Sequence, residues 1–572
     1  MKYLNHPSEF DKFPSTSAAG RAFSGYPELR KELSSALKDE RIVLFEIYPG
    51  AEEKEIKEQL ISHLGFDEII PIEDCAKPEE EINAWLQPFL TEDRVFGTMT
   101  HFSIEQFYNS EKLDLLRKNI KKAEKRIAVY GFGASLVSPS APLIYFEMSR
   151  WEIQLRQRQG MPNWHCHNSG EDTLKKYKRG FFVEWRTADR LKKEALPRSS
   201  YVIDTTIANN PKMVKTADFF ANLHKMPFHP FRLVPYYDPG VWGGQWMKEV
   251  CGLDPQKNNY AWSFDGVPEE NALHFDFSGV TFEFPAIDLV FFEPAALLGQ
   301  RVYGRFGTEF PIRFDMLDTM EGGNLSLQCH PLTEYIQDKY GMNYTQDESY
   351  FILDAKADSC VYLGVKTGVD KKEMFKELEE SEKGLHPFEA EKFVNKFPAK
   401  KFDHFLIPGG TIHCSGADTM VLEISATPYI FTFKMWDWGR LGLDGKPRPI
   451  HVREAEESIQ FERDTGFAKR ELIDHFETLG PKETRTGLHP REFIETRLYT
   501  FKDQVDLTSP GSFSMCNLVQ GQEALIEAED GSFSPLKVHY AETFIVPEGV
   551  QRFRFVSPQG EEIKIIRAYV RG

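Results

Sequence analysis

At 572 residues the chain is too long for one hydrophobic core, so roughly two to four domains are expected. Hydrophobic residues at 41% and charged residues at 27% are the proportions of an ordinary soluble globular protein. The formal net charge of −18, from 69 basic and 87 acidic side chains, disfavours a general binder of nucleic acid or anionic membrane.

The N-terminus, Met1 to Pro7, lacks the charged-then-apolar pattern of a secretory signal. No apolar run approaches the roughly 20 residues that a membrane span needs. Seven cysteines, an odd number with no CxxC pair, argue against a disulfide framework and for a reducing cytoplasm. Up to about residue 225, short apolar runs alternate with amphipathic stretches. Arg41 to Ile47 reads as a strand, Glu52 to Leu64 as a helix, Lys112 to Lys125 as a helix and Arg126 to Tyr130 as a strand. Leu143 to Arg158 reads as one long helix. Such alternation predicts a layered α/β domain with a mainly parallel sheet over 1–225.

From about Phe231 the text changes to short strands broken by Gly, Pro and Asp: Phe314 to Leu317, Leu325 to His330, Ser349 to Asp354, Cys360 to Val365 and Met420 to Ser425. A charged helical stretch, Arg453 to Glu477, leads to a last all-β segment. Two all-β domains are expected, 226–460 and 461–572. One echo joins them. Leu406 to His413 (LIPGGTIH) is matched by Ile545 to Arg552 (IVPEGVQR), with Arg552 in the place of His413.

In a strand, alternate side chains face alike. Leu325, Leu327 and Cys329 then share one face, and Ser326, Gln328 and His330 the other. Glu348 shares a face with Tyr350, and His413 follows the Pro408-Gly409-Gly410 turn. Two imidazoles, a carboxylate and an amide oxygen are a ligand set that suits Zn²⁺ or another divalent first-row ion, one per chain, with room for substrate. Taken singly, a strand histidine is more often a hydrogen-bonded structural residue.

Leu325-Ser326-Leu327-Gln328-Cys329-His330-Pro331 resembles the Gln-x-His-Pro signature of type I phosphomannose isomerases, which are zinc cupins. Further segments agree in the same order: Pro235 to Asp238 with Trp242-Gly243-Gly244, Leu297-Leu298-Gly299, Arg305-Phe306-Gly307, Glu348 to Ala355, Ile407 to His413, and Trp436 to Arg440 with Gly445-Lys446-Pro447-Arg448. The resemblance covers about residues 232–572. It implies two cupin-type barrels, the second without metal ligands, and a metal at Gln328, His330, Glu348 and His413. It also implies interconversion of mannose 6-phosphate and fructose 6-phosphate through an enediolate, in the cytoplasm, on a small-molecule sugar or sugar phosphate.

The departures from that pattern bear on substrate. Family lysines are replaced by Gln346 and Asp315, and an arginine by Lys434, which keeps charge but loses the bidentate fork. Lys434 is the expected general base. Gln346, Asp315, Trp242 and Arg448 are the expected substrate contacts, with Arg313, Lys366, Arg440 or Arg448 able to replace the missing cations. An unphosphorylated sugar, or a metal-holding sugar sensor without turnover, are the alternatives. Glu46 to Glu55, with Val129 to Ala134, is similar in layout to nucleoside-kinase-like P-loop domains, but it lacks GxxxxGK[ST] and places acids where phosphate should dock. A degenerate copy is implied. The sequence fixes no oligomeric state. His165-Cys166-His167 reads as a solvated loop rather than a metal site.

Overall fold

Ile42–Ile47 is apolar save for Glu46, and is buried from Val43 onward, as befits a strand covered on both faces. It sits inside a seven-stranded sheet whose spatial order is Ala22–Ser24, Lys212–Lys215, Tyr201–Asp204, Leu143–Glu147, Ile42–Ile47, Ile127–Gly131 and Glu68–Pro71. The last five of these pair in parallel, and the first two strands are antiparallel additions. The chain, described here by a computed structural model, is covered except for residues 1, 429, 444, 446, 447, 449 and 488.

The expected long helix over 143–158 is corrected. Leu143–Glu147 is a fully buried strand and only Arg150–Arg158 is helical. A short run such as Leu-Ile-Tyr-Phe has no period of its own, and the slot between two neighbouring strands decides its conformation. Two compact units result. One comprises Ser15–Lys225 with Ala272–Phe292, and the other Met1–Pro14, Met226–Asn271 and Glu293–Gly572. Residues 272–292, expected to run on within the 226–460 domain, thus belong to the α/β unit. There Ala272–Phe277 and Val280–Pro285 form a hairpin that pairs with Thr16–Ser17.

The other unit holds two pairs of sheets. In its middle part the strands are β1 (Tyr236–Asp238), β2 (Trp262–Gly266), β3 (Ile312–Asp318), β4 (Leu327–Cys329), β5 (Glu348–Ala355), β6 (Cys360–Val365), β7 (Val394–Pro398), β8 (His404–Ile407), β9 (His413–Ser415), β10 (Thr419–Ala426) and β11 (Phe433–Trp436). One sheet runs β8-β5-β10-β3-β2-β1 and the other β7-β6-β9-β4-β11. The expected strands are each present, three of them longer by one or two residues at each end, but Leu325–His330 is corrected to a short strand, Leu327–Cys329, with His330 just past its end. The charged stretch after His451 is helical only at Val452–Ser458 and in a short turn over Thr465–Leu472.

The last part pairs a six-stranded sheet, Glu477–Gly480, Glu483–Gly487, Ile494–Phe501, Ile563–Val570, Ser514–Gln520 and Thr543–Val546, with a four-stranded one, Gln504–Thr508, Arg552–Val556, Glu523–Ala528 and Leu536–His539. No described helix is long and apolar enough to cross a membrane.

Candidate metal centre

Gln328 in β4 is in register with His413 on β9 and with Lys434 on β11. Cross-strand partners project to the same face of a sheet, so His413, Gln328 and Lys434 form one row. His330, two residues beyond Gln328, continues that face. From the opposite sheet Glu348, the first residue of β5, sends its carboxylate to both rings. Oε1 lies 2.6 Å from His413 Nε2, and Oε2 lies 3.1 Å from His330 Nε2. The interior face of each sheet is thereby identified. The ligand atoms of His330, Glu348 and His413 all lie within 4.8 Å of one another, and the three residues are buried.

The turn that delivers His413 explains its sequence. Gly410 has φ +85°, and a Cβ there would meet Ser458 O at 2.7 Å and Leu332 Cδ2 at 2.9 Å. A Cβ on Gly409 would meet Pro331 O at 2.8 Å, so both glycines are required by space and Gly410 by conformation as well. Gly410 N–H donates to His330 O, tying the two histidine segments together. Arg463 Nη1 donates to Pro408 O, Gly409 O and Thr411 Oγ1, each at 2.6 Å, and pins the turn.

Each imidazole is oriented from behind. His413 Nδ1 is 2.8 Å from Thr411 O, and His330 Nδ1 is 3.4 Å from Phe431 O. A carbonyl only accepts, so Nδ1 is the donating nitrogen of each ring and Nε2 is the one turned to Glu348. Nε2 then faces a carboxylate oxygen at 2.6 Å, a convergence of donor atoms that a shared cation would suit. His330 Nε2 and Glu348 Oε1 are accordingly buried without a hydrogen bond. Ligands about 2.1 Å from a metal stand roughly 3.4 Å apart at tetrahedral angles, which these gaps approximate. The residues present therefore fit a divalent ion. Burial would push the Glu348 carboxyl up, but His330 and His413 more than reverse this and hold it well below the usual range. Burial pushes His330 down, and Glu348 outweighs it, leaving the ring raised. The Gln328 amide reaches His413 Nε2 at 3.4 Å.

The other expected site residues fall in different places. Lys434 is half-buried in the register row beside Gln328. Gln346 is buried and donates through Nε2 to Glu348 Oε2 at 3.1 Å and to Glu423 Oε1 at 3.0 Å, so it orients the carboxylate. Asp315, also buried, is ion-paired with Arg313. Trp242 is sealed in the wall, edge-on to Trp262 at 4.8 Å. Arg448 and Arg440 both pair with Asp437, at 3.0 and 2.7 Å, and Arg448 also donates to Ser326. The neighbouring residues 446 and 447 lie outside the described residues. Lys366 is exposed and bonds Glu391 O. His165 and His167 pair with Glu73 and Glu79, not with each other.

Sequence reasoning missed Glu423. It lies opposite Tyr350 and Asp315, accepts from Arg313 Nη2 at 2.8 Å and from Ser425 Oγ at 2.9 Å, and is buried. The available signal was a charge standing inside the otherwise apolar run Met420 to Ile424.

Fold and site together define a protein of two units, one α/β and one of paired β-sheets, with a buried two-histidine, one-carboxylate centre in the latter. Residues 25–227 match a family described as a domain of unknown function, DUF8485. The chain is similar to mannose-6-phosphate isomerase ManA of Bacillus subtilis, 22% identical over 305 residues, which is 53% of this chain and 90% of that protein. It is also similar to the mannose-6-phosphate isomerase of Streptococcus mutans, 24% identical over 217 residues, 38% of this chain and 63% of that one. A solved structure of mannose 6-phosphate isomerase from Bacillus subtilis aligns with a TM-score of 0.48 at 17% identity, over 60% of this chain and 99% of that one.

Proposed function

We propose that this protein is an enzyme, a sugar isomerase that interconverts an aldose and its 2-ketose. Its relatives carry the name mannose-6-phosphate isomerase, and interconversion of mannose 6-phosphate and fructose 6-phosphate is the reference reaction. One observation carries the reading: Nε2 of His330, Nε2 of His413 and the Glu348 carboxylate converge in a buried interior, each ring oriented by a backbone carbonyl.

Gln328, His330, Glu348 and His413 would hold a divalent ion such as Zn²⁺. When bound it supplies Lewis-acid stabilisation of the charge that builds on substrate oxygens as a C–H proton leaves. Glu348 supplies the negative charge of the ligand set. Gln346 holds that carboxylate in place. Lys434, one register step from Gln328, is the candidate to move the proton between C2 and C1. The paired sheets are read as cupin-type barrels over 226–460 and 461–572, less the 272–292 hairpin segment, in a cytoplasmic protein.

The α/β unit is read as a degenerate P-loop-like domain without nucleotide chemistry. In support, Glu52 caps and Glu53 and Glu55 open the helix that follows Ile42–Ile47, placing acids where a phosphate would dock.

The test is metal analysis of the purified protein with a coupled assay on mannose 6-phosphate, mannose and lyxose. A stoichiometric divalent ion with turnover of one of these is expected. Metal without turnover of any aldose would favour the sugar-sensor alternative, and no bound metal would defeat both.

A further inference from the structure

The turn over 408–411 touches all three charged or imidazole ligand segments of the centre. Gly410 N–H donates to His330 O at 2.7 Å, and Gly409 N–H donates at 2.7 Å to Asp347 Oδ1, whose residue precedes Glu348. Thr411 O stands 2.8 Å from His413 Nδ1 and orients that ring. The remaining oxygens of the turn converge on one side chain from outside the ligand set. Arg463 Nη1 lies 2.6 Å from Pro408 O, from Gly409 O and from Thr411 Oγ1.

Glycines make room for the segment that carries this arginine. A Cβ on Gly364, at φ +69°, would meet Arg463 O at 2.5 Å, and Gly364 sits at an irregularity in the pairing of β6 with β7. A Cβ on Gly410 would meet Gln460 Cγ at 3.0 Å, where Gln460 N–H donates to Gly410 O at 2.9 Å. Arg463 is itself sealed from solvent, at 2% exposure. Taking a guanidinium out of water is costly, and a side chain needed only to fill space would be apolar. Glu462, Asp347 and Glu492 offset its charge, and Arg491 opposes it. A charged donor holds carbonyl and hydroxyl oxygens more firmly than a neutral one.

We infer that Arg463 is a positioning residue of the metal centre: by clamping the turn it fixes the carbonyl that orients the His413 ring, and so sets metal affinity without touching the ion. The inference rests on the isomerase reading above only through its metal site.

Zn²⁺ and Co²⁺ affinities of the full chain are measured by chelator competition for the wild type, Arg463→Ala and Arg463→Lys, together with the visible absorption of the Co²⁺-loaded proteins, which reports ligand geometry. Arg463→Ala is expected to bind either ion about 10- to 100-fold more weakly, as when a group that orients a ligand is lost, and to show a changed Co²⁺ spectrum. Arg463→Lys keeps the charge but loses the planar fork, and is expected to fall between the two. Phe555→Ala, in the last part of the chain, controls for loss of stability alone. If it weakens metal binding as much as Arg463→Ala does, the effect is one of stability and the inference is overturned. Wild-type affinity and spectrum in Arg463→Ala also overturn it, and leave the metal centre standing. A wild type that binds neither ion defeats the centre itself, and the inference with it. Should Arg463→Ala fail to fold, Thr411→Val takes its place by removing the hydroxyl that Arg463 meets. It is expected to weaken binding roughly three- to tenfold, the worth of one hydrogen bond, and unchanged affinity in that folded variant counts against the clamp.

Discussion

The middle and last parts of the β unit use one construction, two antiparallel sheets face to face, and fill it oppositely. Between the middle sheets lie Gln328, His330, Glu348, His413, Arg313, Asp315 and Glu423, all buried. Between the last two lies an apolar cluster in which Tyr499, Phe501, Leu518, Ile526, Phe544, Phe553, Phe555 and Ile565 meet. The shared turn makes the contrast local. In the middle part it delivers His413 with 0% exposure into the interior, whereas in the last part it delivers Arg552, whose side chain is 73% exposed. The backbone device therefore does not dictate a site. The residues facing inward do, and a polar interior is tolerated where each charge finds a partner or a ligand.

That contrast breaks most sharply at Glu348. Glu348→Ala is expected to lower divalent-metal affinity by more than about 100-fold, beyond the loss typical for removal of an outer-sphere partner. Metal analysis after dialysis reads this directly, and tight stoichiometric metal in the variant would sink the centre. The mirror experiment is Phe555→Ala. It is expected to cost about 3–5 kcal/mol in chemical denaturation, the range for truncating a buried aromatic, with metal content unchanged. Loss of metal there would show that the two interiors are energetically one.

How much of this was legible in the sequence follows from the range of each interaction. Alternation around Leu325 to His330 and the Pro408-Gly409-Gly410 turn are local features, and they put Gln328, His330 and His413 on the correct faces. Glu423, and its pairing with Arg313, became visible only with the register of β10 against β3 and β5, since the two partners stand 110 residues apart in the chain. Gln346 and Asp315 were recognised as unusual, but whether each touches substrate or carboxylate is a question of distance that spacing cannot answer. The misread 143–158 segment failed for the same reason: neighbours in space, not in sequence, made Leu143–Glu147 a strand.

The junction between the two parts provides a smaller test. His404 in β8 is fully buried, its Nδ1 is 3.0 Å from Thr486 O, and burial pushes its pKa down to about 4. The folded state thus keeps this ring neutral, whereas the unfolded chain protonates it near pH 6.5. Above pH 6.5 neither state binds the proton and nothing is lost. As pH falls from 6.5 to about 4, only the unfolded state gains a proton, so stability declines by up to about 3 kcal/mol. Denaturation midpoints of the wild type and of His404→Asn across that range are expected to converge toward acid, because the variant lacks this slope. Parallel curves would remove the assignment.

The smallest expected effect isolates the polar interior from its metal. Gln346 touches Glu348 and Glu423 through one amide nitrogen, and its side chain is 2% exposed. Gln346→Leu keeps most of the volume but takes away the donor that fixes the Glu348 carboxylate, and leaves Glu423 with one donor fewer. Metal affinity is expected to fall roughly 10- to 100-fold, the usual cost of losing a group that orients a ligand. Gln346→Glu sharpens the point, since it removes the same donor but sets a third carboxylate beside Glu348 and Glu423 whose charge attracts a cation, and it should bind metal more tightly than the leucine variant. If both variants hold metal as tightly as the wild type, Glu348 is oriented by the two imidazoles alone, and the acidic row behind it belongs to the fold rather than to the centre.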